Sequence, residues 1–206
     1  MNGADPGPAA RDAAFAAFAA AYEAGRGAVA WTRVVADLET PVAAYLKLTA
    51  GQPFPFLLES VEGGAARGRY SVIGMAPDLI WRCRGGVAEV NRDAEAAPHA
   101  FVPDAAPALE SLRALIAVTR LDLPDGLPPM SAGLVGYLGY DMVRLMERLP
   151  ADKPDRLGLP DALLLRPTLF AIFDTIRDEL TLTAPVWPRE GVSAATAWTR
   201  AQARLE

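Results

Sequence analysis

The stretch FLLESVEGGAARGRYSVIG, residues 56–74, ends an apolar run on an adjacent carboxylate and hydroxyl, Glu59 and Ser60. A carboxylate at the end of a buried strand is costly unless it finds a partner or stays in water. If Gly63, Gly64 and Gly68 bracket a turn, the chain doubles back and sets Glu59 and Ser60 beside Arg69, Tyr70 and Ser71. An anion, a hydroxyl, a cation and a ring suit a free amino acid. The carboxylate receives the ammonium group, the guanidinium or hydroxyl holds the ligand's carboxylate, and apolar walls take its side chain. The same residues equally describe a cross-strand Glu–Arg pair on the surface. Neighbours on a strand alternate in direction, so only one of Arg69 and Tyr70 is expected to face such a pocket, and Arg69 is the preferred electrostatic partner.

Other chemistry-bearing residues point away from catalysis. The lone histidine, His99, sits in a proline-bounded connection, where a solvated loop residue is expected rather than a metal ligand or a general base. Ser60 lacks a G-x-S-x-G context, and Cys83 alternates with Trp81 in an apolar strand as a structural thiol would. Gly133, Gly136 and Gly139 do not follow the G-x-G-x-x-G order, and no Walker lysine follows the glycine pairs. Close backbone packing in a sheet accounts for them better. In YDMVRLMERL, Asp141, Arg144, Glu147 and Arg148 are spaced to place opposite charges on one helix face, solvated or at an interface.

The elements that must position Glu59 and Arg69 follow from periodicity. Phe15, Phe18 and Tyr22 stripe an alanine-rich helix over 10–24. AVAWTRVVAD reads as a strand, and Thr40-Pro41 caps a short helix over 41–48. FPFLLES, RYSVIGM, DLIWRCR and VAEV are then predicted as four antiparallel strands, broken at Gly63-Gly64, Pro77-Asp78 and Gly85-Gly86. A polar connection over 91–107 leads to a helix marked by Leu109, Leu112 and Ile116. GLVGYLGY, LLLRPTLFAIFD and ELTLTAPVW are further strands, the last two turned near 175–178, and a helix starts near Ser193. LLLRPTLFAIFD is apolar at both alternating positions and is expected to want cover on both sides. The fold class is α+β, an antiparallel β-sheet or sandwich core with flanking helices.

Composition bounds the partners. With 206 residues, 51% of them apolar, the chain can bury a sizeable core. A net charge of −5 without a basic run argues against nucleic acid or an anionic membrane as partner. One cysteine precludes an internal disulfide, the N-terminus lacks the pattern of a secretory signal, and a cytoplasmic protein is expected. The last helix runs to Glu206 without a C-terminal capping signal, which suggests a fragment.

Four segments in this order, ADLETPVAAYLKL, FLLESVEGG, RYSVIG and GLVGYLGYDMVRLMERLP, closely resemble the N-terminal region of anthranilate synthase component I, a chorismate-utilising enzyme family of tryptophan biosynthesis. The similarity runs from about Phe18 to the end. It implies an N-terminal helix over 1–26 and, over 27–206, the family's N-terminal domain without its catalytic C-terminal half. It further implies that Leu57-Leu58-Glu59-Ser60 belongs to a pocket for L-tryptophan as feedback inhibitor, half of which this chain would carry; Arg69 and Tyr70, the facing candidates of the hairpin reading, would join it. Chorismate and Mg2+ would bind in the C-terminal half, so this chain alone is expected to hold no cofactor and no catalytic residue. A glutamine amidotransferase, component II, would be the partner that delivers ammonia. Two alternatives remain, component I of aminodeoxychorismate synthase and a free-standing amino-acid-binding module. ETPVAAYLKL with the intact LLES favours anthranilate synthase over the first.

Overall fold

In chain order, the periodic segments become α1 (Gly7–Glu23), β1 (Ala28–Val35), α2 (Pro41–Leu48), β2 (Phe56–Val61), β3 (Arg67–Arg84), β4 (Val87–Asn91), β5 (Val102–Pro103), α3 (Ala108–Thr119), β6 (Val135–Leu138), β7 (Ala162–Asp174), β8 (Glu179–Val186) and α4 (Ala194–Leu205). A computed structural model describes residues 7–36, 38–61, 67–150 and 154–206. Two compact units form: one from residues 1–76, 120–133 and 167–206, the other from 77–119 and 134–166. The class is α+β with antiparallel strand pairing and flanking helices, as the periodicity indicates.

In the first unit the strand order is β1-β8-β7-β3, with β2 also paired to β3. Thr40 caps α2 by accepting a hydrogen bond from the Ala43 N–H at 3.1 Å, and Pro41 follows at the first turn, where its missing N–H costs nothing. Ala44 of α2 packs on Ile73, Met75, Ala171 and Phe173. Small residues at Ala30, Ala184 and Ala201 let α4 approach the sheet closely, while Phe18 and Tyr22 of α1 cluster with Ala28, Ala194 and Ala197. Pairing of Phe170 with Thr183 and of Ile172 with Thr181 puts these four on the opposite face, where all are buried. There Thr183 Oγ1 donates to the Ser131 carbonyl at 2.7 Å, tying down the segment 120–133. Both faces of β7 are therefore covered within this unit from Phe170 to Phe173.

In the second unit β6 pairs with β7, β7 with β3, β3 with β4, and β4 with β5. Leu112 and Leu115 of α3 pack against Trp81, Cys83, Ala88 and Val90. The fully buried indole of Trp81 donates to Ser111 Oγ at 2.9 Å, and Ser111 donates in turn to Asp104 Oδ2 at 2.6 Å. The polar tip of the ring is thus satisfied inside an apolar cluster. Ile116, expected on the buried stripe, is 43% exposed, and Leu115 takes its place.

Two expectations are corrected. RYSVIGM and DLIWRCR are not separate strands but one, β3, which runs through Pro77-Asp78. Instead of turning, the backbone takes a left-handed φ of 49° at Ala76, whose carbonyl accepts from Thr168 Oγ1 at 2.7 Å. Asp78 is held by Arg166 through two bonds of 2.7 and 2.8 Å. A proline removes one ladder donor, and here the strand absorbs that loss as a local irregularity. YDMVRLMERL forms a 3-10 helix over Tyr140–Leu145 rather than a charged α-helical face. Arg144 donates to Asp141 at 2.6 Å and to the carbonyls of Leu149 and Pro150 at 3.0 and 2.9 Å, folding the segment back on itself.

Candidate functional site

The hairpin expected between β2 and β3 is present. Phe56 faces Gly74, Leu57 faces Ile73, Leu58 faces Val72 and Glu59 faces Ser71, with a register shift between Glu59 and Val61. Gly63 and Gly64, expected in the turn, lie outside the described residues. At the shift, Ser60 sits directly on Gly68: a Cβ built there would lie 2.0 Å from Ser60 Oγ and 2.4 Å from its carbonyl oxygen. Glycine is therefore required at 68 by close approach. Glu59 and Ser60 are both exposed.

Arg69 does not wait for a ligand with an unpaired guanidinium. Its Nε and Nη2 donate to the Asp174 carboxylate, with Nη2 to Oδ2 at 2.7 Å. Asp174 also accepts from the Ile176 N–H at 3.1 Å, and the Thr175 N–H donates to the Arg69 carbonyl at 3.0 Å. The Arg69 guanidinium bond, opposed by burial and helped by the Ile176 N–H, holds the Asp174 carboxyl below the usual carboxylate range. The same bond raises Arg69 above its ordinary value.

Arg69 and Tyr70 both line one cavity of about 230 Å³, with the Arg69 guanidinium over the Tyr70 ring, 4.8 Å from its centroid. Arg33, Arg177, Glu179, Thr181 and residues 126–128 also line it. Glu59 and Ser60 are not among its lining residues. The four candidates thus fall into two neighbouring groups, Glu59 and Ser60 at the hairpin shift, and Arg69 and Tyr70 with Asp174 in the cavity. Asp174 is the residue that sequence reasoning missed. A signal was available, since LLLRPTLFAIFD, like FLLES, closes an apolar run on a carboxylate.

Burial pushes the Cys83 thiol up, with the negative charge of Asp161 adding to the effect, so the thiolate needed for nucleophilic work is disfavoured. Among the described residues no group of three His, Cys, Asp or Glu could hold a metal ion. No helix among them is long and apolar enough to cross a membrane.

No protein-family model matches the chain. Anthranilate synthase component 1 of Cereibacter sphaeroides is 49% identical over 191 residues, 93% of this chain and 38% of that protein. This chain is a relative of the N-terminal region of anthranilate synthase component 1. Anthranilate synthase component 1 of Thermus thermophilus is 41% identical over 174 residues, 84% of this chain and 35% of that protein. The chain thus spans well under half the length of these curated relatives. Among solved structures, anthranilate synthase component I from Streptococcus pneumoniae aligns with a TM-score of 0.48 at 21% identity, covering 84% of this chain and 35% of that one.

Proposed function

We propose that this chain supplies the effector-binding, non-catalytic part of an anthranilate synthase component 1. In the complete enzyme, ammonia delivered by a glutamine amidotransferase aminates chorismate, and loss of pyruvate leaves anthranilate. Chorismate and Mg2+ are bound by the remaining length of the enzyme, and no step of that chemistry is routed through the residues described here. L-Tryptophan, the end product of the pathway, is the effector.

The observation that carries the proposal is the β2–β3 hairpin in a chain 49% identical to component 1. Its register brings Glu59 opposite Ser71 and Ser60 onto Gly68, one residue from Arg69. Glu59 stands exposed, where it can receive an ammonium group by a charge-assisted hydrogen bond. Ser60 offers a hydroxyl in a position fixed by backbone contact. Asp174 holds the Arg69 guanidinium, which lies over the Tyr70 ring, so the two side chains offer a preorganised polar and aromatic surface that loses little freedom when a ligand binds. Asp174 acts as a positioning residue. The proposal is tested by titrating L-tryptophan into the chain and following the Glu59, Ser60 and Tyr70 backbone amides by NMR. Shifts confined to the hairpin and the neighbouring cavity support it, and shifts elsewhere or none contradict it.

A further inference from the structure

We infer that the cavity behind Tyr70 is a carboxylate-binding site anchored by Arg33, a residue that the tryptophan proposal does not use. Arg33 lies on β1 opposite Thr181, and its side chain reaches the cavity wall. One terminal nitrogen donates to the Gly126 carbonyl, and the guanidinium lies over the Trp31 ring, 5.0 Å from its centroid. These contacts fix the plane of the group. Its Nε is buried and makes no hydrogen bond to the protein. Nε is shielded by the protein and is not itself the ligand contact; the guanidinium as a whole, held by these contacts and lining the cavity, is the cation that a carboxylate would meet.

The surrounding charges agree. Arg69 lines the same cavity but is neutralised by Asp174, leaving Arg33 and Arg177 against Glu179 as the charges to be met by a ligand. A balance of two cations and one anion favours either a small carboxylate anion or the carboxylate end of an amino acid, whose ammonium would face Glu179. The volume, about 230 Å³, is several times the roughly 30 Å³ share of one water molecule and admits a small organic acid. Thr181 adds a hydroxyl to the wall.

The test uses malonate and glycine as probes, titrated by NMR into the chain and into Arg33→Met, Arg177→Met and Glu179→Gln. Saturable binding of at least one probe is expected, weakened roughly tenfold or more by Arg33→Met, the scale of one lost charge-assisted bond. Glu179→Gln separates the two sources, tightening malonate if the site takes an anion and weakening glycine if it takes a zwitterion. It also leaves every arginine contact in place, so the test does not depend on Arg33→Met folding. No saturable response to either probe in the millimolar range would overturn the inference. So would affinities that neither Arg33→Met nor Arg177→Met changes, or a Glu179→Gln variant indistinguishable from the parent. Shifts that leave Arg33 untouched but move with Ser60 would assign the ligand to the hairpin instead and likewise overturn it.

Discussion

Arg69 and Asp174, 105 residues apart in sequence, form an ion pair of 2.7 Å in which the carboxylate is 5% exposed and the guanidinium 40%. The pair fastens the end of β7 to the start of β3, next to the Thr175–Arg69 backbone bond. Asp174→Asn removes the charge and leaves Arg69 without its partner. Because the Arg69 side chain is open to solvent, the variant is expected to lower the urea midpoint by less than the loss of a fully buried pair would. Urea unfolding of the two proteins checks this; equal midpoints would show that the pair does not hold the unit together.

The pH dependence has a definite sign. Asp174, Asp104 and Glu89 all have folded-state pKa values below their ordinary ones, through Arg69, Ser111 and Arg82 respectively. A depressed carboxyl binds protons more weakly folded than unfolded, so its stabilisation is complete above the unfolded value, about 4, and is lost as pH falls through the lower folded value. Melting temperature should therefore fall on acidification below about pH 4, and Asp174→Asn should flatten that slope. An acid limb of unchanged steepness in the variant would remove Asp174 from this explanation.

Gly68→Ala asks whether the hairpin shift needs glycine. The new methyl would meet Ser60 within 2.2 Å of its Cβ and 2.4 Å of its backbone oxygen, so part of the strand must move. A cost of roughly 1–3 kcal/mol is expected, as for overpacking elsewhere, with amide shifts concentrated at 58–61 and 67–71. An unperturbed spectrum would show that Ser60 is free to turn away.

Much of this was legible in the sequence. Thr40-Pro41 marks the start of α2, the Gly85-Gly86 pair with φ of 54° and 81° makes the β3–β4 turn, and the antiparallel pairing of β2 with β3 follows from two apolar runs close in sequence. These are local signals, each carried by a few adjacent residues. What was not legible depends on distant partners. Pro77 looks like a break until Arg166 and Thr168 are seen to brace the strand around it, and Arg69 looks available until Asp174 is placed beside it. Asp174, on a strand far along the chain, lines the same cavity as Arg69 and Tyr70, a juxtaposition no local pattern announces.

The chain by itself should make no anthranilate. It spans 38% of the Cereibacter sphaeroides protein, and the proposed function assigns no step of the chemistry to its residues. Incubation with chorismate, Mg2+ and ammonia, followed by anthranilate fluorescence, should match a heat-killed control. Product above that control would place catalytic groups in this chain.

The most direct measurement concerns Ser60 in a chimera that joins this chain to the remaining length of the Cereibacter sphaeroides relative. Inhibition constants for L-tryptophan and uninhibited turnover are determined for the parent, Ser60→Ala and Ser60→Phe. Ser60→Ala removes one hydrogen bond of about 0.5–1.5 kcal/mol and should weaken inhibition by roughly tenfold or less. Ser60→Phe should weaken it further by filling the space beside Gly68, and turnover without tryptophan should survive both changes. Turnover that collapses while inhibition stays intact would contradict the effector role of Glu59 and Ser60 and make them part of the chemistry or the folding core.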